Sequence, residues 1–254
     1  MGSAMLRGWL GHGISPEHFH IVDPVAENLP TGVSVYRSPQ EVARHFDIVV
    51  LGIKPQMLAS LAPHIAQLLA PDALVISILA GRTFETLSAA FPSARVIRLM
   101  PNLAAAIGKS PLAVFAPHAG EAARTAIADF LAPLGSVIWI DDEGQMDAVT
   151  ALAGSGPAFV YRFVDALING GEAAGLPREI AAQLAIAMTE GAAMLAASTT
   201  QSPDQLAAQV TSPGGTTAAG LAVLDSNDAL NALIGQTLRA ARDRGTELAT
   251  GEAN

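Results

Sequence analysis

The sequence predicts an α/β protein in two parts: a doubly wound α/β domain followed by an all-helical domain. Two observations carry this. Up to Ile140, short apolar runs alternate with helical stretches, whereas after Asp141-Asp142 the β-branched runs stop and helical, Ala-rich segments take over. Near-continuous runs such as Ile48-Val49-Val50-Leu51 suit strands buried on both faces of a parallel sheet wrapped by helices.

Taken in order, the chain opens on Met1–Leu10, which reads as a helix. Strands are expected at His18–Asp23, Val33–Tyr36, Asp47–Ile53, Ala73–Leu79, Arg95–Leu99, Leu112–Phe115 and Ser136–Ile140, with helices such as Pro55–Leu69 and Phe84–Phe91 between them. The boundary falls near residue 141, giving domains 1–141 and 142–254. Beyond it Met146–Ala174, Pro177–Ala197, Pro203–Val210 and Ala218–Gly245 read as helices, separated at Gly175-Leu176-Pro177 and Ser212-Pro213-Gly214-Gly215. Gly154-Ser155-Gly156-Pro157 predicts a kink, since an interior Gly costs about 1 kcal/mol and a Pro about 3. Small residues let helices approach closely, and so many apolar positions in so few helices suggest an intertwined homodimer, or a higher oligomer built from it.

Composition excludes several functions. The net charge is −9, and the basic residues, twelve Arg with Lys54 and Lys109, are scattered, which argues against a nucleic-acid partner. Cysteine is absent, so no disulfide, thiolate metal site or Cys nucleophile exists, and a reducing cytoplasm is expected. No signal peptide is read at the N-terminus. The apolar stretch Ile180–Ala197 is interrupted by Gln183 and Glu190 and reads as a buried helix, not a membrane span. The six histidines show no metal-binding spacing, and His18 and His20 read as structural. No metal is expected. Asp141, Asp142 and Glu143 read as a solvated acidic hinge, and no G-x-S-x-G elbow or P-loop occurs.

A doubly wound, Rossmann-like domain should open with a buried strand, a G-x-G-x-x-G turn and a helix. Here the helix comes first. Gly2 takes the place of the third glycine, and Asp23, 21 residues on, stands where a ribose-binding carboxylate belongs. The expectation is therefore that the natural start lies upstream, that Met1 is an internal methionine, and that the chain as it stands lacks its mid-sheet strand. A carboxylate at Asp23 favours NADH over NADPH by repelling a 2′-phosphate. Arg37 is the nearby cation that could rescue phosphate binding.

Four further segments matter together: Ile53-Lys54-Pro55, Arg98-Leu99-Met100-Pro101-Asn102, Ala153-Gly154-Ser155-Gly156-Pro157-Ala158 and Val210-Thr211-Ser212-Pro213-Gly214-Gly215-Thr216-Thr217. In this order and at these distances the chain resembles the pyrroline-5-carboxylate reductase family of proline biosynthesis, from Met1 to about Thr246. Ile53, Lys54 and Pro55 follow a buried strand and so sit at the carboxyl edge of the sheet, where open α/β folds bind ligands; Ala80 and Gly81 end the next strand at the same edge. The resemblance implies that Met100, Pro101 and Asn102 line the nicotinamide pocket. Arg98 reads as an internal ion-pair partner.

Ser212-Pro213-Gly214-Gly215-Thr216-Thr217 precedes a helix expected near Ala218. Free N–H groups at a helix start suit a substrate carboxylate without any Arg. Gly214, Gly215 and Thr216, assisted by Ser212, are assigned to that carboxylate, and Thr217 to hydrogen bonding of the imine nitrogen and delivery of its proton. The implied reaction is NAD(P)H-dependent reduction of 1-pyrroline-5-carboxylate to L-proline. The alternatives are a reductase or dehydrogenase of another small acid with the same architecture, and a non-catalytic dimeric regulator.

Overall fold

The computed structural model describes the backbone of residues 1–250 and the side chains of residues 1–247. It divides into two compact units: Met1–Ser155 together with the chain from Ala241, and Gly156–Ala240.

The first unit opens with helix α1 (Gly2–Gly11), then strands β1 (His20–Val22) and β2 (Ser34–Tyr36). There follow β3 (Phe46–Leu51), α2 (Leu58–Ala66), β4 (Leu69–Ser77), α3 (Phe84–Ala90), β5 (Arg95–Met100), β6 (Ser110–Phe115), α4 (Glu121–Leu131) and β7 (Gly135–Ile140). Every expected strand is present, shifted by a few residues at most. β1 and β2 pair in parallel as a two-stranded sheet, and β3-β4-β5-β6-β7 form a second sheet in chain order. No ladder joins β1 to β3. The large sheet is not wholly parallel: β6 runs antiparallel to β5, while β7 runs parallel to β6.

Period-two alternation sorts the sheet's side chains onto two cores. Leu74, Ile76, Ile97, Leu99, Leu112 and Val114 face Met5 and Trp9 of α1 and Ile127 and Leu131 of α4. Leu51, Val75 and Val96 face Leu58, Ala62 and Ile65 of α2, Leu87 of α3 and Phe91 just after it. Helices on both faces make the sheet doubly wound. Trp9 fixes α1 on its face by stacking on Phe19 and donating its indole N–H to the Phe130 carbonyl at 3.0 Å.

The unit ends in α5 (Met146–Val149) and a single π-helical turn over Thr150–Gly154. The interruption expected around Gly154–Pro157 is therefore this wide turn, placed just ahead of the proline. Near the end of the chain, the Thr246 hydroxyl donates to Asp147 of α5 at 2.9 Å.

The second unit contains α6 (Gly156–Ala173), α7 (Arg178–Ala197), α8 (Pro203–Gln209), α9 (Thr216–Leu224) and the first part of α10 (Ala229–Thr250). α6 and α7 join through a turn in which Leu176 N–H bonds the Gly171 carbonyl at 3.0 Å. Two expectations need correction. The helix read over Ala218–Gly245 is broken at Ser226–Asp228, where Asn227 and Asp228 adopt left-handed φ values of 53° and 57°. Asn and Asp tolerate that region because their short side chains bond locally. The stretch Ile180–Ala197 is a helix, but not a buried one within the chain: only Ala181 and Ala185 of α7 are buried. By length and composition α7 could cross a membrane, with 11% of its apolar window buried.

Candidate active site

Three of the sequence-predicted segments converge. Ile53-Lys54-Pro55 follows β3, Ala80-Gly81 follows β4 and Met100-Pro101-Asn102 closes β5. These strands are adjacent and parallel, so their carboxyl ends form one edge. Lys54 is exposed, and Pro55 starts a short 3₁₀ turn. Gly81 has φ +68°, which lets the chain leave β4 sharply without a side chain over the edge. Gly2 begins α1, whose first turn carries neither a side-chain cap nor an acid, leaving N–H groups and the positive dipole end for an anion.

Asp23 follows β1 in the smaller sheet, where its Oδ1 accepts the Val25 N–H at 2.9 Å. Arg37 does fold back: its guanidinium donates to the Asp23 carbonyl at 3.3 Å and the Ala26 carbonyl at 3.0 Å. A cation therefore stands beside the Asp23 loop.

Asn102 is 5% exposed and its polar atoms are engaged within the protein. Its N–H donates to Ser110 Oγ, its Oδ1 accepts Ala104 N–H and its Nδ2 donates to the Ala153 carbonyl of the π turn. The Pro-Asn pair thus fastens the end of β5 to the turn before α6. Arg98, also buried, is an internal ion-pair partner, with Nη1 2.7 Å from Glu143 Oε1. Glu143 corrects the reading of the acidic hinge: it is paired with Arg98 and also accepts the Phe84 N–H. Its partners lie 45 and 59 residues away, so no local pattern reveals them. Ser110 was legible only as a hydroxyl opening an apolar run. Arg82, next to Gly81, was also missed; its Nε is buried with no hydrogen-bond partner among the described residues.

The second unit holds the remaining predicted residues. Gly214 takes φ +72°, and its turn places Gly215 as the N-cap of α9. The helix starts at Thr216, earlier than the expected Ala218, so Thr216 and Thr217 belong to its first turn. No side chain caps α9, which leaves its first N–H groups free to bind a carboxylate. Ser212 lies against Gly215, and its carbonyl accepts the Gly215 N–H at 3.0 Å. Thr217 is half-buried and, among the described residues, its hydroxyl makes no hydrogen bond.

Comparison with known proteins identifies the family. Residues 143–248 match the family model for the pyrroline-5-carboxylate reductase dimerisation domain, and residues 1–81 match a model described as NADP oxidoreductase, coenzyme F420-dependent. A pyrroline-5-carboxylate reductase of Pseudomonas aeruginosa is 35% identical over 256 residues, covering 98% of this chain and 93% of the relative. The chain belongs to the pyrroline-5-carboxylate reductase family. The Synechocystis reductase is 41% identical over 217 residues, covering 85% of this chain and 80% of its own. Among solved structures, the reductase of Coxiella burnetii superposes with a TM-score of 0.88 at 30% identity, over 97% of this chain and 94% of that one. The Plasmodium falciparum reductase, solved with NADP bound, gives 0.83 at 28%, over 98% and 94%. The family makes this chain an NAD(P)H-dependent reductase with a dimerisation domain. Neither the reductase of a different small acid nor the non-catalytic regulator is favoured.

Proposed function

We propose that the protein reduces 1-pyrroline-5-carboxylate to L-proline, with the substrate held at the start of α9 and the cofactor along the carboxyl edge of β3, β4 and β5. The observation that carries the reading is the uncapped first turn of α9 beside a Thr217 hydroxyl that makes no hydrogen bond among the described residues, within a member of this family. The residues present fit a dinucleotide, because three adjacent strand ends turn away through loops with Gly81 and Pro55 and leave the edge open. The reduced nicotinamide, when bound, supplies a hydride to the carbon of the C=N bond.

The chain's own residues orient and discriminate. The free N–H groups of the first turn of α9, from Thr216 on, hold the substrate carboxylate, while Gly214 and Gly215 shape the turn that presents them and Ser212, whose carbonyl holds the Gly215 N–H, stands beside it. The Thr217 hydroxyl bonds the ring nitrogen and helps a proton reach it, so that hydride on carbon and proton on nitrogen give the saturated ring. Ile53, Lys54, Pro55, Ala80, Gly81, Met100 and Pro101 line the cofactor. Asn102 serves by holding that lining in place. Gly2 opens the helix that faces the cofactor's phosphates.

NADH is the preferred donor on the strength of Asp23, and the guanidinium of Arg37 beside that loop gives the enzyme measurable activity with NADPH. The functional division falls near residue 141, supported by the end of β7 at Ile140 and the start of the dimerisation match at residue 143. α7 then belongs to a dimer interface and not to a membrane, and the enzyme works in the cytoplasm as a homodimer. The direct test is consumption of reduced nicotinamide on adding 1-pyrroline-5-carboxylate, with L-proline identified as product. Cofactor binding without consumption would refute the activity.

A further inference from the structure

We propose that Glu143 is a positioning residue for the cofactor site: one carboxylate oxygen fastens two cofactor-lining segments to each other. The proposal rests on the assignment of Ala80-Gly81 and Met100–Asn102 to the cofactor. Oε1 of Glu143 accepts from Arg98 Nη1 at 2.7 Å, two residues before Met100 on β5. The same oxygen accepts the backbone N–H of Phe84, the first residue of α3 and three residues after Gly81. The loop leaving β4 and the end of β5 are thereby held at a fixed separation by a group that belongs to neither.

The surroundings make this junction stiff. Arg98 is 6% exposed, so its charge has no alternative partner in water, and its other neighbours on β5 are apolar. Beside it Met100, Ala113, Phe115 and Met146 form a small core with Phe84 packed against it. The Phe84 and Phe115 rings meet edge to face at 5.9 Å. Glu143 itself is held by its turn, because Asp142 Oδ1 accepts the Gly144 N–H at 2.9 Å. On the far side, Asn102 Nδ2 bonds the Ala153 carbonyl at 3.0 Å. Residues 143–153 thus grip β5 on both sides of Met100. A hydride donor must sit within a few tenths of an ångström of its productive pose, and a displacement of about 1 Å can cost about a hundredfold in rate. Arg98 and Glu143 touch neither cofactor nor substrate in this arrangement; they act through the segments they hold.

The test uses the full chain and four measurements: thermal midpoint, dissociation constant for reduced nicotinamide by its fluorescence, kcat, and KM for the imine. The double variant Arg98→Met with Glu143→Met replaces the ion pair by apolar groups of similar volume, an exchange that often preserves stability. It removes the acceptor of Phe84 N–H. The expected result is a folded protein whose cofactor dissociation constant rises about tenfold and whose kcat falls, while KM for the imine, set at α9, is unchanged. Glu143→Gln keeps an acceptor oxygen at the same reach for the Phe84 N–H but leaves the buried Arg98 charge without its counter-ion, so its thermal midpoint is expected to fall while the folded protein retains most of its cofactor affinity and kcat. Glu143→Asp keeps the charge but withdraws the oxygen by one methylene, and should impair cofactor binding more than Glu143→Gln does. If the double variant does not fold, the order of these two single variants decides. Unchanged cofactor affinity and kcat in a folded double variant, or Glu143→Gln impaired more than Glu143→Asp, would overturn the proposal. A wild type that binds nicotinamide but does not turn over the imine would refute the activity alone, and the affinity series would still test Glu143. A wild type that binds no nicotinamide overturns both.

Discussion

In the proposed mechanism, Thr217 concentrates the chemistry in one hydroxyl. It is half-buried, makes no hydrogen bond among the described residues and lies one residue inside a helix whose N-terminus no side chain caps. Removing one well-placed hydrogen bond from a closed site costs on the order of 10- to 1000-fold in rate. Thr217→Ala should therefore lower kcat by that much while the dissociation constant for reduced nicotinamide stays constant; unchanged turnover removes Thr217 from the mechanism. In the proposed reading, cofactor choice turns on two opposed charges one loop apart. Asp23→Ser should raise the NADPH-to-NADH ratio of kcat/KM, and Arg37→Gln should lower it, since the guanidinium reaches the Asp23 and Ala26 carbonyls. A ratio unmoved by both substitutions would show that discrimination lies elsewhere. His20 provides a titration check. Burial, and then the neighbouring Arg44 guanidinium, lower its pKa below the ordinary 6.5. The folded state therefore disfavours the imidazolium. The stability His20 confers is complete above 6.5 and is lost as pH falls from there through the folded value. Histidine NMR should show a midpoint below 6.5 that moves up in Arg44→Gln; a midpoint indifferent to that change would contradict the contact.

At the scale of elements, the strands were legible because burial on both sheet faces leaves an apolar run that few other structures explain. Ala73–Ile76 and Leu112–Phe115 are such runs. Helix ends were less legible. The α9–α10 break is the clearest case: Asn227 and Asp228 look ordinary within an apolar helical pattern, yet both take left-handed backbone angles. A β-branched residue there must bear the steric cost of that conformation, about 1–2 kcal/mol. Asn227→Val should lower the thermal midpoint and Asn227→Gly should not. Equal behaviour of the two would mean that the break is not a conformational requirement. The π turn was signalled by Gly154, Gly156 and Pro157, but its use was hidden. The carbonyl of Ala153 meets Asn102 across 51 residues of chain, a pairing that no local spacing encodes.

At the scale of the molecule, the second unit leaves its apolar side chains uncovered. Leu184, Met188 and Leu195 recur along one face of α7, and all are more than half exposed. A helix pair with two buried alanines as its core cannot be stable on that account alone, and a face of this kind marks an interface. A second copy covers it in the proposed dimer. Leu184→Arg with Leu195→Arg should convert the dimer to monomer by light scattering, and a dimer that persists would place the interface elsewhere.

What the sequence determined by itself was the class of fold, the strand set and the family. Periodicity fixes which faces are buried, and Ser-Pro-Gly-Gly-Thr-Thr is a local run that carries its own chemistry: glycine turn, open helix start, hydroxyl. What only the tertiary structure decided was the wiring between distant residues. The antiparallel insertion of β6 depends on how the chain returns to the sheet, which the apolar pattern of a strand does not encode. The roles of Glu143, Ser110 and Arg37 depend on partners that chain folding brings within hydrogen-bond reach. A carboxylate after an Asp-Asp pair reads as solvated until a buried arginine 45 residues upstream is found against it. Whether a charge is free or spoken for is a property of three-dimensional neighbours and dielectric, and one-dimensional spacing carries neither.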